Sequence, residues 1–440
     1  MNQIFLRLLL ATFLVVLQSC VTGNKVATQA EFSFITGDRL PDAPELSGRG
    51  KYKVGVRTIT VVNRNQIDVL HTQAGKDPVY DRTLTLEVWY PAILSRGKKE
   101  LVVYDQYMGL FKDSARPLVP FTFMGRASRD ATPDTSEGRY PLVIVSHGYP
   151  GNRLIMTWLT ENLASKGYVV IAIDHTESTF SDKAAFQSTL LNRSKDILFV
   201  LNEVGQLSKP DSKSFLSGVV DADNTALIGY SMGGYGVLNA AGAGYSQKLD
   251  SFFTVITGGS KAINSRLEGN KDFKASYDPR IKAIVAFAPW GMQRGTWTTD
   301  GLKGLSVPSF FVGGDKDDVS GYEDGIKATY KAAVNANRYL LTYINARHNI
   351  APNPPPPETL KADVPPGEYS FYAEPAWKEQ RINNINQHFV TAFLGIYLKH
   401  LDYSRYLELE QISNNKVWTG FKPRACVGLE LLHDNPEGSK

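Results

Sequence analysis

The stretch Asn224-Thr225-Ala226-Leu227-Ile228-Gly229-Tyr230-Ser231-Met232-Gly233-Gly234 decides how this chain is read. The apolar residues up to Gly229 have the character of a strand, and the small-residue run over 234–243 reads as a helix. Between them, Gly229-Tyr230-Ser231-Met232-Gly233 puts a serine on a very tight strand-to-helix turn. Such a turn lifts the hydroxyl clear of the sheet, and only glycine or another small residue two positions to either side lets the flanking segments pass so closely. As a bare string the pattern is weak in a chain with 37 glycines; the strand and helix beside it make Ser231 a nucleophile candidate. The backbone N–H that follows, that of Met232, then falls where it helps to form an anion pocket.

Outward from this turn, strand-like runs occur at 54–62, 84–90, 142–146, 169–173, 226–229, 281–288, 309–312 and 338–344. Helix-like segments, most with apolar residues at three- and four-residue spacing, lie at 154–166, 184–206, 234–243, 321–335 and 380–401. Several strands are nearly continuous apolar runs, as expected when both faces are covered. The alternation predicts an α/β fold with a mostly parallel central sheet flanked by helices and insertions near the active site. One large domain over 51–402 is expected, preceded by a polar leader at 20–50 and followed by a C-terminal extension at 403–440. The stretches 103–139 and 244–278 interrupt the alternation on the carboxyl side of the sheet, where they would either cap the site or decorate the surface. The proline-rich run 352–357 is expected to be extended and stiff and to shape the rim of the cleft.

A chain of 440 residues, 42% hydrophobic and 21% charged, can bury a large core. Its 48 basic and 44 acidic residues leave a formal net charge of +4 with no basic block to follow a phosphate backbone, so nucleic-acid binding is not indicated. Residues 1–19 read as a secretory signal: Arg7 precedes an apolar run, 8–17, well short of the roughly 20 residues that a membrane helix requires. The run ends Leu17-Gln18-Ser19-Cys20, which resembles the bacterial lipoprotein processing box, although Gln18 is an uncommon occupant and an ordinary signal cleaved nearby is the alternative. A lipidated Cys20 would tether an exported protein to the periplasmic or outer-membrane side without a spanning helix. The second of the two cysteines, Cys426, would then lack a partner; otherwise a Cys20–Cys426 bridge is open to it.

A serine hydroxyl is protonated at neutral pH and needs a base in reach, with a third group to fix the base's tautomer. In folds built on this turn the chain order is serine, acid, histidine. Of the seven histidines, His71, His147 and His175 precede Ser231; His388 and His400 lie in a long amphipathic helix, and His433 in a polar tail. That leaves His348, in a loop after the strand at 338–344, as the base. For the acid, Asp315-Lys316-Asp317-Asp318 follows an apolar strand, and Asp317 is the choice, with Asp315 and Asp318 read as turn or cap residues. A calcium loop is rejected, because Ser320 stands where it needs glycine and Ile326 where it needs glutamate. His147-Gly148-Tyr149-Pro150-Gly151, after the strand at 142–146, offers the second oxyanion amide, that of Tyr149, with His147 bracing the loop. Trp290 and Trp297, near strand ends, are candidates to line the substrate pocket. No metal or organic cofactor is expected.

Val54-Gly55-Val56-Arg57, Leu86-Glu87-Val88-Trp89-Tyr90-Pro91, Ser146-His147-Gly148, Asp174-His175, the Ser231 turn and Arg347-His348-Asn349 together resemble the α/β-hydrolase superfamily. Within it they look like the platelet-activating-factor acetylhydrolase and dienelactone-hydrolase-like branch. The resemblance implies a Ser231–Asp317–His348 triad with the Tyr149 and Met232 amides as oxyanion donors. It departs from true dienelactone hydrolases, whose nucleophile is cysteine. The chemistry expected is hydrolysis of a small-molecule or lipid-like carboxylic ester through an acyl-serine intermediate. An amidase or peptidase with the same triad, or a non-catalytic surface-binding lipoprotein, are the alternatives.

Overall fold

The computed structural model describes residues 35–438, so the signal-like segment and Cys20 lie outside the described residues. From Thr36 onward the chain forms one unit around a single sheet. The strands are β1 (Lys53–Ile67), β2 (Val79–Ile93), β3 (Val102–Met108), β4 (Val119–Gly125), β5 (Ser128–Arg129), β6 (Thr132–Pro133) and β7 (Tyr140–Ser146). They continue with β8 (Val169–Asp174), β9 (Val220–Tyr230), β10 (Ile281–Phe287), β11 (Ser309–Gly314), β12 (Arg338–Tyr343) and β13 (Leu429–Asp434). The sheet order is β13-β12-β11-β10-β9-β7-β8-β2-β1-β5, with β6 on β2, and β3 and β4 form a separate hairpin.

The six central strands, β8 through β12 in that order, pair in parallel. Their sequences say why. Val143-Ile144-Val145 and Val169-Val170-Ile171 are apolar on both faces, and all but Val145, which is 3% exposed, are fully buried. Helices Thr157–Ser165, Phe186–Leu207, Met232–Ala240 and Glu379–Lys399 are packed against this sheet. Antiparallel partners close both sides, β2 and β1 on one and β13 on the other. A parallel sheet of this kind gathers the loops after its strands along one edge, and ligands bind there.

All eight predicted strands and all five predicted helical segments are present, the segment at 321–335 as a π-helical turn Tyr322–Ile326 running into the helix Lys327–Ala332. Two elements depart from expectation. The segment read as a C-terminal extension supplies β13, so His433 is a strand residue stacked on Tyr339 with ring centroids 4.1 Å apart. The first interruption folds as the β3–β4 hairpin, with Val102, Tyr104, Gln106 and Met108 turned inward at period two. Cys426 is fully buried, its thiol against the carbonyls of Ser413 and Lys416.

Candidate active site

The turn at Ser231 is as tight as its glycines demand. A Cβ on Gly229 would stand 2.2 Å from the Gly233 carbonyl oxygen, and one on Gly233 only 1.9 Å from the Ser146 oxygen. Ser231 itself holds φ 53°, ψ −114°, a conformation an L-residue adopts at a cost, which the surrounding hydrogen bonds enforce. Its N–H donates to the Phe287 carbonyl at 2.9 Å, and its own carbonyl accepts from Trp290 at 3.1 Å. Neighbouring strand β10 thus locks the turn in place.

Three loops at the carboxyl edge bring the sequence candidates together. His348, five residues past β12, places Nε2 3.0 Å from Ser231 Oγ and Nδ1 2.8 Å from Asp317 Oδ2. Asp317, three residues past β11, accepts the N–H groups of Val319 at 2.9 Å and Ser320 at 2.8 Å on Oδ1, which leaves Oδ2 for the imidazole. Asp318 pairs with Arg347 at the surface, and Asp315 accepts the Asn345 N–H. Of the three carboxylates, Asp317 is therefore the one that reaches the imidazole. Tyr230 lies beside the His348 ring, centroids 5.3 Å apart, and its hydroxyl reaches Asn349 Oδ1 at 3.3 Å.

Ser231 opens into a cavity of about 530 Å³. Gly148, Tyr149 and Pro150 form one side, with a cis bond between the last two, and Tyr369, Phe371 and Glu374 form the other. Asn349 fastens that far wall to the histidine loop, donating through Nδ2 to the carbonyls of Ser370 and Ala373, both at 2.9 Å. Met232 is the first residue of its helix, so its N–H has no partner within the helix. Burial raises the pKa of Glu374, whose Oε2 accepts the Arg347 N–H at 3.0 Å.

Several expectations give way here. Trp297 is 2% exposed and packs on Tyr235, centroids 5.7 Å apart, while Trp290 lies half-buried between Phe186 and Tyr235. Neither lines the cavity: the chain after β10 turns through Pro289, which abuts Gly234, and both tryptophans pack on Tyr235 of the helix Met232–Ala240. The interruptions 103–139 and 244–278 and the proline run 352–357 contribute nothing to its lining either; the wall comes from the helix Pro366–Tyr372 and the residues after it. His388 is buried in the core, its Nδ1 accepting from the Leu46 N–H at 3.1 Å.

Behind the site lies a buried polar network that the sequence does not announce. His175 joins Ser146 Oγ at 2.8 Å and Asp196 Oδ2 at 2.9 Å, and Asp196 receives Arg82 through Nε at 2.8 Å and Nη2 at 3.0 Å. This second serine–histidine–aspartate array is no more than 1% exposed throughout, so no substrate reaches it and its work is structural. Arg82 holds the Asp196 pKa down to about 2 against the opposing pull of burial. Removing one partner would strand the other charge in the interior. Asp196→Ala is expected to cost about 3–5 kcal/mol in urea denaturation; a loss below 1 kcal/mol would show that the network carries little of the fold.

The comparisons with known proteins follow the same line. A PET hydrolase-like family model matches residues 123–250. Cutinase est1 of Thermobifida alba is 24% identical over 214 residues, 49% of this chain and 55% of that protein. Bis(hydroxyethyl) terephthalate hydrolase of Streptomyces coelicolor is 24% identical over 220 residues, 50% of this chain and 53% of that protein. The chain thus spans little more than half the length of these relatives. A ferulic acid esterase from Streptomyces cinnamoneus superimposes with a TM-score of 0.56 at 18% identity, covering 89% of this chain and 99% of that one. With its parallel sheet, its strand–serine–helix turn and these likenesses, the chain is a member of the α/β-hydrolase superfamily.

Proposed function

We propose that this protein is a serine hydrolase that cleaves carboxylic esters through an acyl-serine intermediate. The observation that carries the reading is the continuous relay from Ser231 Oγ through His348 to Asp317, 3.0 and 2.8 Å, at the floor of an open cavity. Ser231 attacks the ester carbonyl while His348 Nε2 takes its proton; Asp317, held by two backbone amides, keeps the opposite ring nitrogen protonated and steadies the imidazolium. The oxyanion that forms is met by the amides of Tyr149 and Met232, each such donor contributing about 10²–10³ in rate. His348 then returns the proton to the leaving alcohol, and water releases the acyl group by the same relay.

Tyr149, Tyr230, Tyr369 and Phe371 give the cavity an apolar, partly aromatic lining that suits a small-molecule or lipid-like ester. The relatives named as cutinases and as a terephthalate ester hydrolase support ester over amide chemistry. The sequence likeness to platelet-activating-factor acetylhydrolases agrees with them on that chemistry. The exported, Cys20-tethered state belongs to the same proposal, resting on residues 1–20 of the sequence. A matched pair of substrates, an aryl butyrate ester and the corresponding anilide, tests the reading. Rapid ester turnover with little or no anilide cleavage is expected; comparable rates on both, or none on the ester, would refute it.

A further inference from the structure

We propose that Arg193 is a positioning residue for the oxyanion hole, fixing the Gly148 carbonyl so that the Tyr149 N–H is aimed at the oxygen of the carbonyl that Ser231 attacks. This rests on the ester-hydrolase reading above and adds to it a residue that neither touches substrate nor belongs to the triad.

Arg193 lies on the helix Phe186–Leu207 and is 1% exposed. Its Nη2 donates to the Gly148 carbonyl at 2.8 Å and to Ser178 Oγ, and its Nη1 donates to the His147 carbonyl. His147 Nδ1 adds a second bond to the same Gly148 oxygen at 2.6 Å. Among the described residues Arg193 has no carboxylate partner, since Asp196, one turn away, is already held by Arg82 and His175. Burying a guanidinium without an anion is costly, and burial lowers its pKa to about 9. The charge is therefore spent on two successive backbone carbonyls.

Those carbonyls belong to the loop that overlies the nucleophile. A Cβ built on Gly148 would stand 3.5 Å from the Ser231 Cβ and 3.3 Å from the Tyr230 ring. The Gly148–Tyr149 peptide is trans, so its C=O and N–H point in opposite directions from one rigid plane. Clamping the oxygen toward Arg193 turns the Tyr149 N–H the other way. A positive charge on the carbonyl also polarises the peptide and strengthens the N–H as a donor. Preorganised donors of this kind act without reorganisation at the moment that charge develops.

The test compares an aryl ester with its thionoester in the parent, Arg193→Lys and Ser178→Ala. A carbon–sulfur double bond uses an oxyanion hole poorly, so the oxo-to-thiono ratio of kcat reports the hole rather than the fold. Arg193→Lys is expected to lower kcat on the oxo ester by about 10- to 100-fold with KM changed less than about threefold, and to shrink the oxo-to-thiono ratio by a similar factor. Ser178→Ala, which removes one anchor of the guanidinium, is expected to do the same more weakly and covers the case in which the lysine variant does not fold. An unchanged ratio in a folded variant, or parental kcat in Arg193→Lys, would overturn the proposal while leaving the hydrolase reading intact. A parent with no ester turnover would overturn both.

Discussion

Ser231→Ala is expected to lower turnover of a short-chain aryl ester by about 10⁴-fold or more while the protein stays folded. The size follows from what is lost. Without Oγ the acyl intermediate cannot form, His348 has no proton to accept at 3.0 Å, and only the oxyanion amides and the cavity remain to help water. The fold is spared because alanine keeps the Cβ and the N–H and C=O bonds to Phe287 and Trp290. Ser231 already occupies φ 53°, so alanine meets the same backbone strain as serine does. Parallel measurements of kcat and of the urea midpoint check this. Activity within about tenfold of the parent would contradict the nucleophile assignment, and a large drop in midpoint would mean that the activity loss reports unfolding.

The second large effect is acid lability. Burial holds the pKa of His175 and His388 down to about 3 and that of His147 well below its usual value, so all three stay neutral in the fold. The unfolded chain protonates each near pH 6.5, so below that value it binds up to three protons that the native state refuses, and stability falls as pH falls. Glu161 works against this. Burial raises its pKa to about 7, so the native state holds a proton that the unfolded chain releases near 4.5, and this contribution grows as pH drops from 7. Asp174 and Glu374, also raised by burial, act in the same direction as Glu161, while burial lowers His433 and Lys166 and so adds to the effect of the three histidines. The histidines prevail, and a net loss of about 2–3 kcal/mol is expected between pH 7 and pH 5. Urea denaturation at the two values measures it. Stability that is flat or higher at pH 5 would mean that the buried histidines are protonated in the native state.

What could be read from the chain, and what could not, divides along physical lines. Central strands were legible because runs such as Val169-Val170-Ile171-Ala172-Ile173 have no polar face, and helix Glu379–Lys399 because of its apolar spacing. The juxtaposition of the candidates Ser231, Asp317 and His348 was legible because a close backbone approach leaves its mark as glycine at 229 and 233, and because chain order leaves one loop histidine after the serine. Edge strand β13 was missed: Leu429-Glu430-Leu431-Leu432-His433-Asp434 is short and half polar, and becomes a strand only beside β12. The wall formed by Tyr369, Phe371 and Glu374 was missed because nothing local ties 369–374 to residue 349; two hydrogen bonds from a single asparagine do. Arg193, Asp196 and Arg82 read as ordinary helix and strand charges, since burial of a charge depends on partners that lie 46 and 114 residues away. Trp290 and Trp297 erred in the other direction: large aromatics near strand ends fill the core behind a site as readily as they line it.

Labelling with a fluorophosphonate followed by peptide mapping tests most directly whether Ser231 is the group that attacks. One phosphonyl group per chain is expected, on the peptide that contains Ser231, with labelling lost in Ser231→Ala and slowed strongly in a His348→Ala variant. A label carried by a different residue, or ester turnover without any label at Ser231, would contradict the assignment of Ser231 as the nucleophile.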